Sequence, residues 1–290
     1  MDAKQSEYLQ TVLQQYNPTQ ARVTANRLRQ LWLQFEPANI NGIKAELREQ
    51  QETVGIPVPK LKAIGKAISK VARTRVNEFL PLIQLLWNEF GREGRVVAVI
   101  PLGAMELTAP EKIIPEIYQL CQTCITWEDA DRLAMDALEP IIRKQPEKWL
   151  HALEAWLEDD NLWVRRAAIT TIGRLPMKRP EYTLVCLNLS ERLLYDDELD
   201  VKRAVSFAIR ISARGEIAPV REFLARHVPP ENSAATWVLC DCIRSMTKQF
   251  LPEFTTLLPR FEAWQNDPSI SAKDRRSIDS AIKTLKKAEA

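Results

Sequence analysis

Trp127 and Asp131 stand four residues apart in Thr126-Trp127-Glu128-Asp129-Ala130-Asp131-Arg132. That spacing puts an aromatic face and a carboxylate on one side of a helix start. Trp163 and Arg166 open a similar segment downstream, and Phe207 follows Arg203 by one helical turn. The rest of the inventory excludes the commoner chemistries. Only two histidines occur, His151 and His227, and neither has a second histidine or a nucleophile near it in sequence, which argues against a Ser-His-Asp triad or a histidine metal site. Cys121-Gln122-Thr123-Cys124 has metal-compatible spacing but no second pair, and Cys240-Asp241-Cys242 has the wrong spacing. Both lie in apolar segments, where cysteine serves as a small buried hydrophobe. No glycine loop is present to cradle a phosphate. No metal or cofactor is expected, and any chemistry rests on carboxylates, aromatics and arginines.

The elements that must position these residues show in a repeat. Asp159-Asp160-Asn161-Leu162-Trp163-Val164-Arg165-Arg166-Ala167-Ala168 returns 37 residues later as Asp196-Asp197-Glu198-Leu199-Asp200-Val201-Lys202-Arg203-Ala204-Val205, with weaker echoes around Arg95 and Arg132. Arg95, Arg132, Arg166 and Arg203 are thus spaced by 37, 34 and 37. A period in this range means stacked units, each burying its apolar face on the next. Helical apolar spacing predicts helices at 4–16, from Pro18 to about Phe35, and at 59–72. Pairs follow at 78–90 and 93–107, 110–124 and 128–144, 147–158 and 161–174, and 181–195 and 198–214. Segments 217–227, 232–248 and 251–265, and a last helix capped by Ser271, close the chain. Residues 36–53 read as a charged irregular insertion with a short helix, and 266–290 as a C-terminal helical segment.

Asp at the helix junction, accepting from free N–H groups, with a small Ala pair after the basic residues, resembles the HEAT repeat. The fold class is therefore all-α: an α-solenoid of HEAT-like helix pairs, an α–α superhelix of armadillo type, spanning 1–290 as one domain. Corresponding second helices of such a stack lie side by side. Two arrangements then fit the spacing. In one, Trp127, Asp131, Arg166 and Phe207 meet as an aromatic-walled pocket with one carboxylate and one guanidinium. In the other, the aromatics are core, Asp131 caps or pairs, and the repeated arginines bridge neighbouring repeats.

A chain of 290 residues with 46% hydrophobic content can bury a sizeable core. No apolar stretch reaches the roughly 18 residues of a membrane span, and Met1 to Glu7 lacks an apolar signal core. Five cysteines, an odd number, fit a reducing cytoplasm better than a disulfide framework. A cytoplasmic monomer is expected, associated with the nucleoid if the source is bacterial. The formal charge of +2 excludes a strongly basic protein but not a local basic face.

Several pieces occurring in order over about 15–215 resemble the DNA alkylation repair family of HEAT-like DNA glycosylases, the AlkD type. They are Asn17-Pro18, Gly55-Ile56-Pro57-Val58-Pro59-Lys60-Leu61-Lys62, Trp87 with Arg92-Glu93, Trp127-x-x-x-Asp131, and Asp160-Asn161-Leu162-Trp163-Val164-Arg165-Arg166-Ala167-Ala168-Ile169. The resemblance implies that Trp127 is a pocket aromatic, Asp131 the catalytic carboxylate and Arg166 a phosphate-binding guanidinium beside the lesion. The family's second pocket aromatic, usually Trp, falls on Phe207, a smaller and weaker partner for a cation. The 36–53 segment is longer than in the family pattern.

The implied activity is hydrolysis of the N-glycosidic bond of cationic N3- or N7-alkylated purines in double-stranded DNA, without extruding the base into a deep pocket as most base-modifying enzymes do. An alkylated cationic purine is already a good leaving group, so the group to be stabilised is the cationic sugar. A carboxylate beside it does so electrostatically and positions water. Lys60, Lys62, Lys66, Lys70, Arg165, Lys202 and Arg210 are candidates for backbone phosphates, which bind duplex without reading sequence. The alternative is a catalytically silent HEAT scaffold that binds DNA or a protein.

Overall fold

The computed structural model describes residues 1–37, 45–105 and 109–289, and among these no strand occurs. Contacts divide the chain into two compact units, Met1–Ile141 and Ile142–Ala290.

The first unit holds α1 (Ala3–Gln14), α2 (Ala21–Trp32), α3 (Ala45–Gln50), α4 (Val58–Ala72), α5 (Val76–Glu89), α6 (Gly91–Met105), α7 (Pro110–Gln122) and α8 (Trp127–Arg132). A stretch of π-helix, Leu133–Leu138, joins α8 to α9 (Glu139–Lys144). The starts follow from composition. Asp2 and Thr126 make capping boxes with Gln5 and Asp129, and prolines at the first turns of α4 and α7 lose no helical hydrogen bond. Within the unit α4 packs on α6, and α6 on α5, α7, α8 and the π-helical turn. Leu61, Ile64 and Ile68 of α4, Leu82, Leu86 and Trp87 of α5, and Val96 to Val99 of α6 fill its core.

The second unit holds α10 (Pro146–Trp156), α11 (Leu162–Arg174), α12 (Thr183–Glu191), α13 (Leu199–Ser212), α14 (Ile217–His227), α15 (Thr236–Arg244), α16 (Leu258–Gln265) and α17 (Ala272–Glu289). Short 3₁₀ turns precede α12, α15 and α16 at Pro180–Tyr182, Ser233–Ala235 and Leu251–Leu257. Here α11, α13, α15 and α17 pack in one row, while α12 and α14 form a second row against α11 and α13. The small-residue match is tight. A Cβ on Gly173 of α11 would lie 2.3 Å from the Cα of Ala208 in α13. The stacked pairs are those of the α-solenoid class, as the period requires.

Cross-links recur at the repeat distance. Trp87 Nε1 donates to Thr123 Oγ1 (2.8 Å), Arg95 reaches Asp129 (2.5 Å), Arg192 reaches Glu154 (3.1 Å), Arg226 reaches Glu191 (3.1 Å) and Ser206 Oγ donates to Asp241 (2.7 Å). The four marker arginines all lie on second helices, α6, α8, α11 and α13, but use their charge differently. Arg95 and Arg166 reach 34 residues ahead, to Asp129 and Asp200. Arg132 and Arg203 pair within their own helices, with Glu128 and Asp200.

One expectation needs correction. The 128–144 helix is interrupted by the π-helical turn. The 36–53 segment holds a short helix, α3, as expected; 38–44 fall outside the described residues, Leu47 is buried, and Gln51 donates to the buried Asp129 (3.4 Å).

Candidate functional site

Helix α8 is held from one side by charge. Arg92 donates through Nε (2.7 Å) and Nη2 (3.0 Å) to both oxygens of Glu128, a bidentate pair between two buried side chains. Arg132 adds a hydrogen bond from Nε to Glu128 Oε1 (3.0 Å). Arg95 binds Asp129 while its guanidinium lies 4.8 Å from the centre of the Trp87 ring. The same Asp129 oxygen accepts the backbone N–H groups of Ile125 and Thr126 (both 3.2 Å), closing the cap. Burial pushes the Glu128 carboxyl up, but the hydrogen bond from Arg92 and the charges of Arg132 and Arg92 outweigh it and hold it below the usual carboxylate range.

Behind this clamp, Glu93 Oε1 accepts from the backbone of Val54 (3.2 Å), Gly55 (2.9 Å) and Ile56 (3.2 Å) and from Thr53 Oγ1 (3.0 Å). A buried carboxylate thus satisfies the turn that leads into α4. The predicted pair Trp127 and Asp131 occupies the face of α8 next to the clamped one, and both side chains are half-buried. One turn further, Asp136 on the π-helical turn binds Lys62 of α4 (2.7 Å) and faces Arg132 (3.8 Å). That turn approaches α6 closely, since a Cβ on Gly103 would lie 2.3 Å from the Asp136 carbonyl oxygen. Lys62, Lys66 and Lys70 share one face of α4; Lys66 and Lys70 are exposed, as is Lys60, which lies 5.8 Å from the Phe35 ring centre.

The second unit holds the remaining predicted residues. Arg166 is buried, its guanidinium side chain only 8% exposed, and donates to the Asp200 carbonyl oxygen, with the Asp200 carboxylate 3.7 Å away. Arg165 is engaged within the chain as well, by Asp196 (2.7 Å) and the carbonyls of Asp159 (2.8 Å) and Asp160 (3.0 Å). Phe207 is half-buried, with the Arg210 guanidinium 5.3 Å from its ring centre, and Arg210 donates to the Ser245 carbonyl (3.3 Å). Lys202 is half-buried on the preceding turn.

Sequence reasoning gave no role to Gln51, Glu93, Glu128 or Asp129, although Arg92-Glu93 is one of the pieces that carry the resemblance. The capping signature Thr126-x-x-Asp129 is a local signal for Asp129 alone. The cysteines are all buried and free. Burial pushes the thiols of Cys186, Cys240 and Cys242 up to about 12 and that of Cys124 well above its usual value, which disfavours the thiolate a metal needs. Among the described residues no cluster of three metal-ligating side chains occurs. No helix there is long and apolar enough to cross a membrane. A hollow of about 360 Å³ between Thr74 and Lys112 contains none of the predicted site residues.

A helical repeat protein with a charge-clamped Trp–Asp helix start is the class these observations define. The chain belongs to the DNA alkylation repair enzyme family, whose sequence pattern matches residues 28–246. No curated protein matches it. Among solved structures it is similar to AlkD2 from Streptococcus mutans, with 16% identity, 78% of this chain and 99% of that one covered, and a TM-score of 0.53. It is also similar to smu.31 from Streptococcus mutans, with 17% identity, 66% and 99% covered, and a TM-score of 0.47. The likeness to AlkD2 supports the fold, and family membership supports a part in DNA alkylation repair.

Proposed function

We propose that the protein is a DNA glycosylase that hydrolyses the N-glycosidic bond of cationic N3- or N7-alkylated purines in double-stranded DNA. The observation that carries this reading is the Trp127–Asp131 pair on α8, with the helix fixed by Arg92, Arg95 and their buried carboxylates. In this reading Asp131 stabilises the positive charge that develops on the sugar and positions the attacking water, which takes the place of the departing purine. Trp127 offers its ring to the cationic base or sugar. The clamp keeps the pair in place without reorganisation during the reaction, the condition under which a fixed charge is most effective. Phe207 is the second unit's aromatic candidate. Exposed Lys60, Lys66 and Lys70, with Lys202, are candidates for phosphates and would act as positioning contacts rather than readers of sequence.

One observation favours a second reading, a catalytically silent HEAT scaffold that binds DNA or a protein: Arg166 and Arg165, assigned to phosphates, bind carboxylates and carbonyls of their own chain. The test is incubation of the protein with duplex DNA containing 7-methylguanine, followed by measurement of free base. Release supports the glycosylase. Duplex binding with no base released leaves the scaffold.

A further inference from the structure

Helix α17 lies beyond the stretch that matches the family, which ends at 246. Its buried side is Ile278, Ala281, Ile282 and Leu285, packed against α15 and α16. The opposite side carries Lys273, Arg276, Lys283 and Lys287, all exposed, within one narrow stripe of the helical wheel. The acidic residues of the helix lie off that stripe. Asp274 binds Ser271 at the cap, Asp279 accepts from Gln265, and Glu289 falls on another face. Glu262 of α16 is taken by Lys286 (2.8 Å) and Asp241 of α15 by Arg244 (3.3 Å) and Ser206. Among the described residues none of the four stripe cations forms an ion pair; Arg276 Nε only donates to the Ala272 carbonyl (3.3 Å). On the flank of the stripe, Arg244 of α15 donates to Ser277 (3.3 Å) and lies 5.9 Å from the ring centre of the half-buried Trp237.

We infer that the α17 stripe is a contact surface for the phosphate backbone of duplex DNA, outside the family's matched region. Lys273 to Lys287 spans about 21 Å along the helix axis, and duplex DNA carries one negative charge per roughly 1.7 Å of its own axis. Four like charges that form no ion pair among the described residues therefore match a polyanion. A membrane surface fits less well, because a basic helix that lies on lipid needs its apolar face free to insert, and here that face is core. This inference rests on the DNA-binding part of the proposed function and not on the glycosylase step.

The test uses the full chain and an unmodified duplex oligonucleotide, with affinity measured between about 50 and 200 mM salt. Two variants are compared with the parent: Arg276→Gln/Lys283→Gln/Lys287→Gln, and the charge-retaining Arg276→Lys/Lys283→Arg/Lys287→Arg. Helix content and melting temperature show that both are folded, as exposed positions allow. The neutralised variant should lose about 0.9 in log–log salt slope for each phosphate contact removed, and roughly tenfold or more in affinity at the low-salt end. The charge-retaining variant should keep slope and affinity. An unchanged slope in the neutralised variant, an equal loss in the charge-retaining one, or a parent that binds phosphatidylserine vesicles and no duplex overturns the inference. A parent whose duplex binding weakens with these substitutions but which releases no 7-methylguanine instead fails the glycosylase reading and leaves this surface standing.

Discussion

At the scale of single residues, Asp131 and Arg166 do different work for their charge. Asp131 is half-buried on α8 next to Trp127, and its proposed role is electrostatic. Asp131→Asn keeps the size of the side chain and removes the charge, so excision of 7-methylguanine should slow roughly tenfold to a thousandfold, about 1.4–4 kcal/mol of barrier. Duplex affinity should hardly change, since a carboxylate near phosphates does not drive binding. Excision at the parent rate would assign Asp131 to structure alone. Phe207→Trp should leave the rate unchanged or raise it, by enlarging the face offered to a cation; single-turnover base release reads this directly. Arg166→Ala, by contrast, leaves the Asp200 carbonyl without its guanidinium donor inside the second unit. Denaturant unfolding should show a loss of about 1–3 kcal/mol, and a variant as stable as the parent would mean that solvent or a neighbour replaces the bond.

At the scale of elements, the π-helical turn and the Glu128 clamp set where α8 points. Because α6 abuts that turn at Gly103, Gly103→Ala forces a methyl against the Asp136 carbonyl and should cost about 1–3 kcal/mol as overpacking does, checked by urea unfolding. The clamp has a pH signature. Glu128 has its folded-state pKa held below the ordinary 4.5, so its stabilising contribution is fully present above that value and is lost as pH falls through the folded pKa. The stability difference between parent and Glu128→Gln should therefore be constant near neutrality and shrink below about pH 4.5. A difference that grew on acidification would reverse the sign and rule out the clamp.

The sequence made the second-helix arginines and most helix ends legible, because period and apolar spacing are local. Segment 217–227 coincides with Ile217–His227, and 161–174 with Leu162–Arg174. The π-helical turn was not legible: no local residue pattern marks it, and its close approach to Gly103 belongs to a neighbouring helix. Nor were the partners of Glu93 and Asp129, which lie 37 to 39 and 78 residues away at Ile56, Val54 and Gln51. The Trp127–Asp131 face was legible from its i, i+4 spacing, but the clamp that orients it was not.

At the scale of the whole molecule, charge is distributed rather than accumulated. The chain carries a formal +2, while exposed lysines line α4 in the first unit and a cation stripe lines α17 in the second. The proposed attraction to duplex would then be a matter of local fields, which act on phosphate and carry no sequence information. The same restraint applies to the chemistry. In the proposed reading Asp131 acts through charge alone, which stabilises a sugar cation but gives no proton to a departing base. On that reading, such a site would accelerate loss of a base that is already cationic and leave a neutral base in place. In duplexes identical except for the lesion, 7-methylguanine and 3-methyladenine should be released in single-turnover assays, while uracil and O6-methylguanine should stay attached over the same time. Release of uracil at a comparable rate would require a general acid, and Asp131 acting through charge alone would no longer account for the reaction.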